Sequence, residues 1–128
     1  MLADALKSMK RLVDSGDLSL KMDRTGKEPK VHVYLSQGLF DIFYLSDYEV
    51  GRKRSAVMKI LGITHYDLAR ERFTLLLRGI RTYINFLFKH QGETAIEFQE
   101  FDFFVVGQHG GVTHKGHFGG QKNLTVTK

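Results

Sequence analysis

The residues with the chemistry to bind or react gather towards the C-terminal third. Residues 91–102 carry four acids, Glu93, Glu97, Glu100 and Asp102, and no base, whereas from Phe103 onward there are three lysines, three histidines and no acid. Glu100 and Asp102 share one strand face, and paired carboxylates of that kind can hold a divalent cation at a phosphodiester. With His114 or Lys115 beside them they define a metal-dependent nuclease as one alternative. Against it, Glu97-Phe98-Gln99 has glutamine where the Glu-x-Lys triplet of restriction-type nucleases has lysine. Acids on strand edges also serve to prevent edge-to-edge pairing. His109, His114 and His117 supply three imidazoles, but not at the spacing of a helical His-x-x-x-His pair, and neither a metal nor another cofactor is expected.

Those histidines lie in Gly107 to Asn123, a stretch with six glycines and two lysines. It reads as a long basic loop in which glycines bring backbone amides near a phosphate, Lys115 and Lys122 supply charge, and Phe118 stacks on an exposed base. A short strand, Leu124-Thr125-Val126, follows. On this reading residues 1–106 form a single α+β domain, and 107–128 are a Gly/His-rich loop and final strand of that same domain.

A second cluster is basic: Arg52-Lys53-Arg54, then Lys59. The run Val57-Met58-Lys59-Ile60-Leu61-Gly62-Ile63-Thr64-His65-Tyr66-Asp67-Leu68 resembles the helix-turn-helix of factor-for-inversion-type DNA-binding proteins, in which a Leu-Gly-Ile-Thr/Ser turn joins two helices and the second enters the major groove. The resemblance implies that Thr64, His65, Tyr66, Asp67 and Arg70 lie near bases or phosphates, with Arg52, Lys53, Arg54 and Lys59 as phosphate ligands. Met58 stands where the motif has a small residue, and Arg72 where it has an apolar one.

Elsewhere the chemistry is sparse. His32 and His65 are isolated and read as hydrogen-bonded structural groups, with no Ser/His/Asp order or Walker-type loop to recruit them. Tyr34, Phe40, Tyr44 and Tyr48 could make an aromatic sheet face for bases, yet their aliphatic neighbours place them in a core instead.

The elements that must position these groups follow from periodicity. Leu2, Leu6, Met9, Leu12 and Val13 mark an amphipathic helix over 2–14. Leu18 to Met22 and Val31 to Leu35 alternate as two strands joined by a basic loop. Leu39 to Leu45 reads as a third strand buried on both faces. Asp47 caps a helix from about 48 to 61, and Gly62 stops it. Thr64 caps a long helix over about 65–89 whose stripe of Phe73, Leu76, Leu77, Ile80, Tyr83, Ile84 and Leu87 forms the core. Leu68, Leu75 and Phe86 make a second apolar strip that fits a protein partner or a second copy, leaving Arg78, Arg81 and Asn85 on the polar side. Residues 94–106 read as a strand bulged near Gln99-Glu100, where the apolar parity slips.

The whole chain has 128 residues, 42% apolar and 26% charged, with no cysteine and a net charge of +5. That length buries enough surface to fold without disulfides, and the absence of cysteine excludes thiol catalysis, iron–sulfur clusters and Cys-based zinc sites. No apolar run has the length of a membrane span, and Asp4 interrupts the N-terminal stretch where a secretory signal would need an apolar run, so an intracellular location is expected. The fold expected is α+β, about five antiparallel or mixed strands on two long helices plus an N-terminal one. The function expected is a small nucleic-acid-binding accessory or regulatory protein without catalysis of its own, its DNA or RNA partner held chiefly through phosphates. A protein-protein interaction module, an inhibitor or assembly component that can form a homo-oligomer, is the alternative.

Overall fold

A computed structural model of the chain describes residues 2–45, 65–92, 96–121 and 123–128. Helix α1 (Leu2–Asp14) leads into strands β1 (Leu18–Asp23) and β2 (Lys30–Ser36), then a short helix α2 (Gln37–Phe40) that runs into a π-helical turn (Asp41–Leu45). The long helix α3 (His65–His90) follows, and strands β3 (Phe101–Val106), β4 (Val112–Phe118) and β5 (Leu124–Thr127) close the chain. All five strands form one sheet in the order β1-β2-β3-β4-β5. Every pairing is antiparallel except β2 with β3, which is parallel. Parallel neighbours cannot be joined by a tight turn, so the helical half of the chain sits between them as a crossover. The fold is α+β, and among the described residues no helix is long and apolar enough to cross a membrane.

The first hairpin and the long helix match their periodicities. Other elements do not. Leu39 to Leu45 is helical, because Ser36 ends β2 in extended conformation and its Oγ accepts the Leu39 N–H at 3.1 Å, a helix N-cap. Ser36 Oγ itself donates to Asp17 Oδ1 at 2.7 Å, which ties this cap to the start of β1. Phe40 and Tyr44 stack at 5.1 Å; their spacing of four satisfies both a helix face and strand parity, so only the cap separates the two. The expected strand over 94–106 begins at Phe101, and the register irregularity falls at Val105/Val106, not at Gln99-Glu100. Within the expected loop over 107–122, seven residues, Val112–Phe118, form strand β4. Helix α3 spans 26 residues and α1 spans 13. The second long helix expected over 48–61, with the Asp47 and Thr64 caps and the Gly62 stop, lies outside the described residues.

One face of the sheet carries the core. Val31, Val33, Leu35, Phe101, Phe103, Val105, Phe118 and Leu124 are buried together with Phe73, Leu76, Leu77, Ile80 and Ile84 of α3. Each such side chain contributes roughly 1.5–3 kcal/mol on leaving water. Phe73 is the hub, edge-on to Phe40 at 5.3 Å and to Phe103 at 5.4 Å. Phe88 takes the buried position expected of Leu87, which is only half-buried. Gly116 lies in register with Phe103, and a Cβ there would collide with the Phe103 ring and the Thr125 carbonyl. Gly119 likewise meets the backbone of Gln99 and Glu100 at a positive φ. The glycines of the C-terminal stretch therefore admit a neighbouring ring and a neighbouring chain, where a phosphate cradle was expected.

Candidate nucleic-acid interface

Because strand side chains alternate, burying Val31, Val33 and Leu35 sends His32, Tyr34 and Ser36 to the opposite face. Burying Phe101, Phe103 and Val105 sends Asp102, Phe104 and Val106 there as well. The registers join these residues into lateral rows. One row reads Ser19, Tyr34, Phe104, Lys115, Thr127, and the next reads Lys21, His32, Asp102, His117, Thr125. No member of either row is fully buried, and among the described residues no helix packs on this face.

Aromatic rings occupy the centre of the face. Phe104 stacks on Tyr34 with centroids 5.3 Å apart and on His32 with centroids 5.7 Å apart. The two central strands thus present a half-buried aromatic tract flanked by Lys21 on β1 and Lys115 on β4. Two of the carboxylates nearby, Asp23 and Asp102, are engaged. Asp23 Oδ1 accepts from the Thr25 hydroxyl and backbone N–H, bonds that hold its carboxyl below the ordinary range with some help from His32. His32 Nε2 lies 3.7 Å from Asp23 Oδ2. Asp102 Oδ1 lies 2.8 Å from His117 Nδ1. At the β2–β3 end the face opens into a groove of about 620 Å³ whose lining includes Lys30, Glu97, Glu100, Asp102 and His117.

The structure places the sequence-derived candidates unevenly. Lys115 is exposed on this face beside Phe104. Phe118 is a correction: at 1% exposure, under Phe101 and with the Arg81 guanidinium 5.0 Å over its ring, it belongs to the core and stacks on no base. Arg70 is half-buried and donates to the Leu124 carbonyl, tying α3 to β5. His65 and Leu68 lie in the first turn of α3. Leu75 is 58% exposed, while Phe86 is half-buried with its ring 4.3 Å from that of His90. Arg52, Lys53, Arg54, Lys59, Thr64 and Lys122 lie outside the described residues. Of the tail histidines, His114 and His117 point to opposite faces of β4 and do not converge. Among the described residues no group of three or more His, Asp or Glu is arranged to hold a metal ion.

Two residues central to this face stand outside the candidates that the sequence offers. Phe104 breaks the apolar parity of Phe101, Phe103 and Val105, and a large aromatic on the polar parity of a central strand is the signal that finds it. Tyr34, expected in a core, alternates out of phase with Val33 and Leu35 and stands on the open face. No family model matches this chain, and no curated protein or solved structure is significantly similar to it.

Proposed function

We propose that the protein binds single-stranded nucleic acid, DNA or RNA, on the open face of its sheet, as a small accessory or regulatory protein. The observation that carries this reading is the half-buried Tyr34–Phe104 stack on the open face, 5.3 Å between centroids, with Lys115 beside Phe104 on β4 and Lys21 one row along on β1. Bases stack on aromatic platforms irrespective of sequence, at about 1–3 kcal/mol each, while lysines on either side follow the phosphates. A duplex cannot present an unstacked base to such a platform, so single strands are the favoured form.

The test is fluorescence anisotropy with labelled single-stranded DNA, single-stranded RNA and duplex DNA at two salt concentrations. Single strands are expected to bind, more weakly at the higher salt, and Tyr34→Ala with Phe104→Ala to lower affinity tenfold or more while the melting transition is retained. Binding confined to the duplex would move the interface to the helix-turn-helix-like run, and no salt-sensitive binding to any of the three would remove the nucleic-acid reading.

One observation favours a protein partner as the second reading: Leu75, 58% exposed, sits among Arg70, Thr74 and Arg78 along α3. Its test is the solution mass of the wild-type chain against Leu75→Glu. A dimer lost in the variant supports it.

A further inference from the structure

The charges of the open face are nearly balanced, and its histidines stand among them. The strands place Lys21, Lys30 and Lys115 on it against Asp23 and Asp102, and Glu100 reaches it from the residue before β3, three charges of each sign. Each of these carboxylates faces an imidazole. His117 Nδ1 is 2.8 Å from Asp102 Oδ1, its Nε2 is 3.7 Å from Glu100 Oε1, and His32 Nε2 is 3.7 Å from Asp23 Oδ2. The remaining surroundings of both rings are modest in charge. His32 has Lys21 and Asp102 two positions from Asp23 and Phe104, with Lys30 and Tyr34 on its own strand. His117 has Lys115 two residues away on β4, uncharged Thr125 in register on β5, and Glu28, Lys30 and Glu97 along the groove that it helps to line. Both side chains keep 26% exposure, so solvent protons reach them.

Resting on the single-strand reading above, we propose that binding of a single strand to this face is coupled to protonation of His32 and His117, so that affinity rises as pH falls through the range in which imidazole gains its charge. Imidazole is the side chain that ordinarily makes this change between about pH 5 and 8. The row of His32, Asp102 and His117 lies two residues from the row of Tyr34, Phe104 and Lys115, about 7 Å along the strands. That separation is shorter than the Debye length of about 8 Å at physiological salt, so a strand stacked on the aromatic row senses the charge of the row beside it. With both imidazoles neutral, Asp23, Glu100 and Asp102 oppose the lysines and repel the phosphates. With both charged, each imidazolium offsets carboxylates that it already faces, and the lysines act on the phosphates unopposed. The Thr25 hydroxyl and backbone N–H hold the Asp23 carboxyl below its ordinary range, so it stays ionised throughout and beside it only the imidazole changes charge. Linkage makes the effect reciprocal: whatever protonation adds to affinity, a bound strand adds to protonation.

The experiment measures the affinity of the full chain for a labelled single strand of oligothymidine DNA, whose bases and phosphodiesters keep one charge state across the range, at about pH 8 and about pH 5.5. Circular dichroism at both values establishes that each protein is folded. Wild type is expected to bind about tenfold more tightly at the lower pH. His32→Gln and His117→Gln each keep part of that gain, and the double variant loses it while matching wild type at the higher pH. His114→Gln, on the other face of β4, keeps the whole gain, which separates the effect from any loss of stability in acid. Asp102→Asn removes a carboxylate instead of adding a proton, so it tightens binding at the higher pH and narrows the gain, an increase that damage to the fold would not produce. Equal wild-type affinity at the two pH values, a full gain in the double variant, or weaker binding by Asp102→Asn at the higher pH overturns the inference and leaves the binding reading standing. No binding at either pH overturns both.

Discussion

At the scale of single residues, strand parity assigns the roles of the histidines. His114 and His117 lie three apart on β4, so one faces the helices and the other the open side. His114 is half-buried with its ring 4.7 Å from Phe40, and its Nδ1 is 3.1 Å from Thr113 Oγ1. Burial depresses its basicity, Lys128 pushes the same way, and Asp41 opposes them. With its folded pKa below the ordinary value of roughly 6.5, the unfolded chain takes up the proton first as pH falls. The stability contributed by neutral His114 is therefore complete above that value and is lost as pH drops from it through the depressed one. Urea unfolding at about pH 7.5 and about pH 5 is expected to show a lower midpoint in acid, and His114→Gln, which does not titrate, to narrow the gap. An unchanged gap in the variant would assign the effect to other groups. Phe118 follows the same rule of parity: sharing the face of His114 and Gly116 sends it into the core.

At the scale of elements, the polar side of α3 is a clamp. Asn85 Nδ2 donates to the Phe98 carbonyl at 3.0 Å, and its Oδ1 accepts the Phe98 N–H at 2.7 Å. Arg81 donates to the Gln99 carbonyl at 3.1 Å. These bonds take up the Phe98 N–H and the carbonyls of residues 98 and 99 without a neighbouring strand, and Phe98 is buried against Phe88 with ring centroids 4.7 Å apart. This is why the chain keeps its apolar pattern before Phe101 yet is not strand there. Asn85→Ala is expected to cost about 1–3 kcal/mol, because it leaves both backbone groups of Phe98 without their partner. A lower denaturant midpoint with an unchanged slope checks it, and a shift within error would show the clamp to be dispensable. The run from Leu39 to Leu45 departs from its strand-like pattern for a related reason: a side chain outside the run, Ser36, decides its conformation.

At the scale of the whole molecule, the net charge of +5 acts through where its lysines stand. Lys21 and Lys115 border the aromatic tract from opposite sides. If Lys115 neutralises one phosphate of a bound single strand, Lys115→Ala reduces the slope of log affinity against log salt by about 0.7. A salt titration of wild type and variant measures this, and parallel lines would place Lys115 off the path of the backbone. From the sequence alone came what periodicity and composition dictate locally: the amphipathic N-terminal helix, the first hairpin, the long helix and its buried stripe, the final strand and the α+β class. Each rests on spacings of two or of three to four residues that a chain displays without its neighbours. Tertiary structure decided which strands pair, that β2 and β3 run parallel, and hence which residues share a row on the open face. Tyr34 and Phe104 lie seventy residues apart in the chain, as do His32 and Asp102, and nothing local joins them. A register is a relation between distant segments, set by how the crossover helix packs, and the candidate site exists only once that register is made.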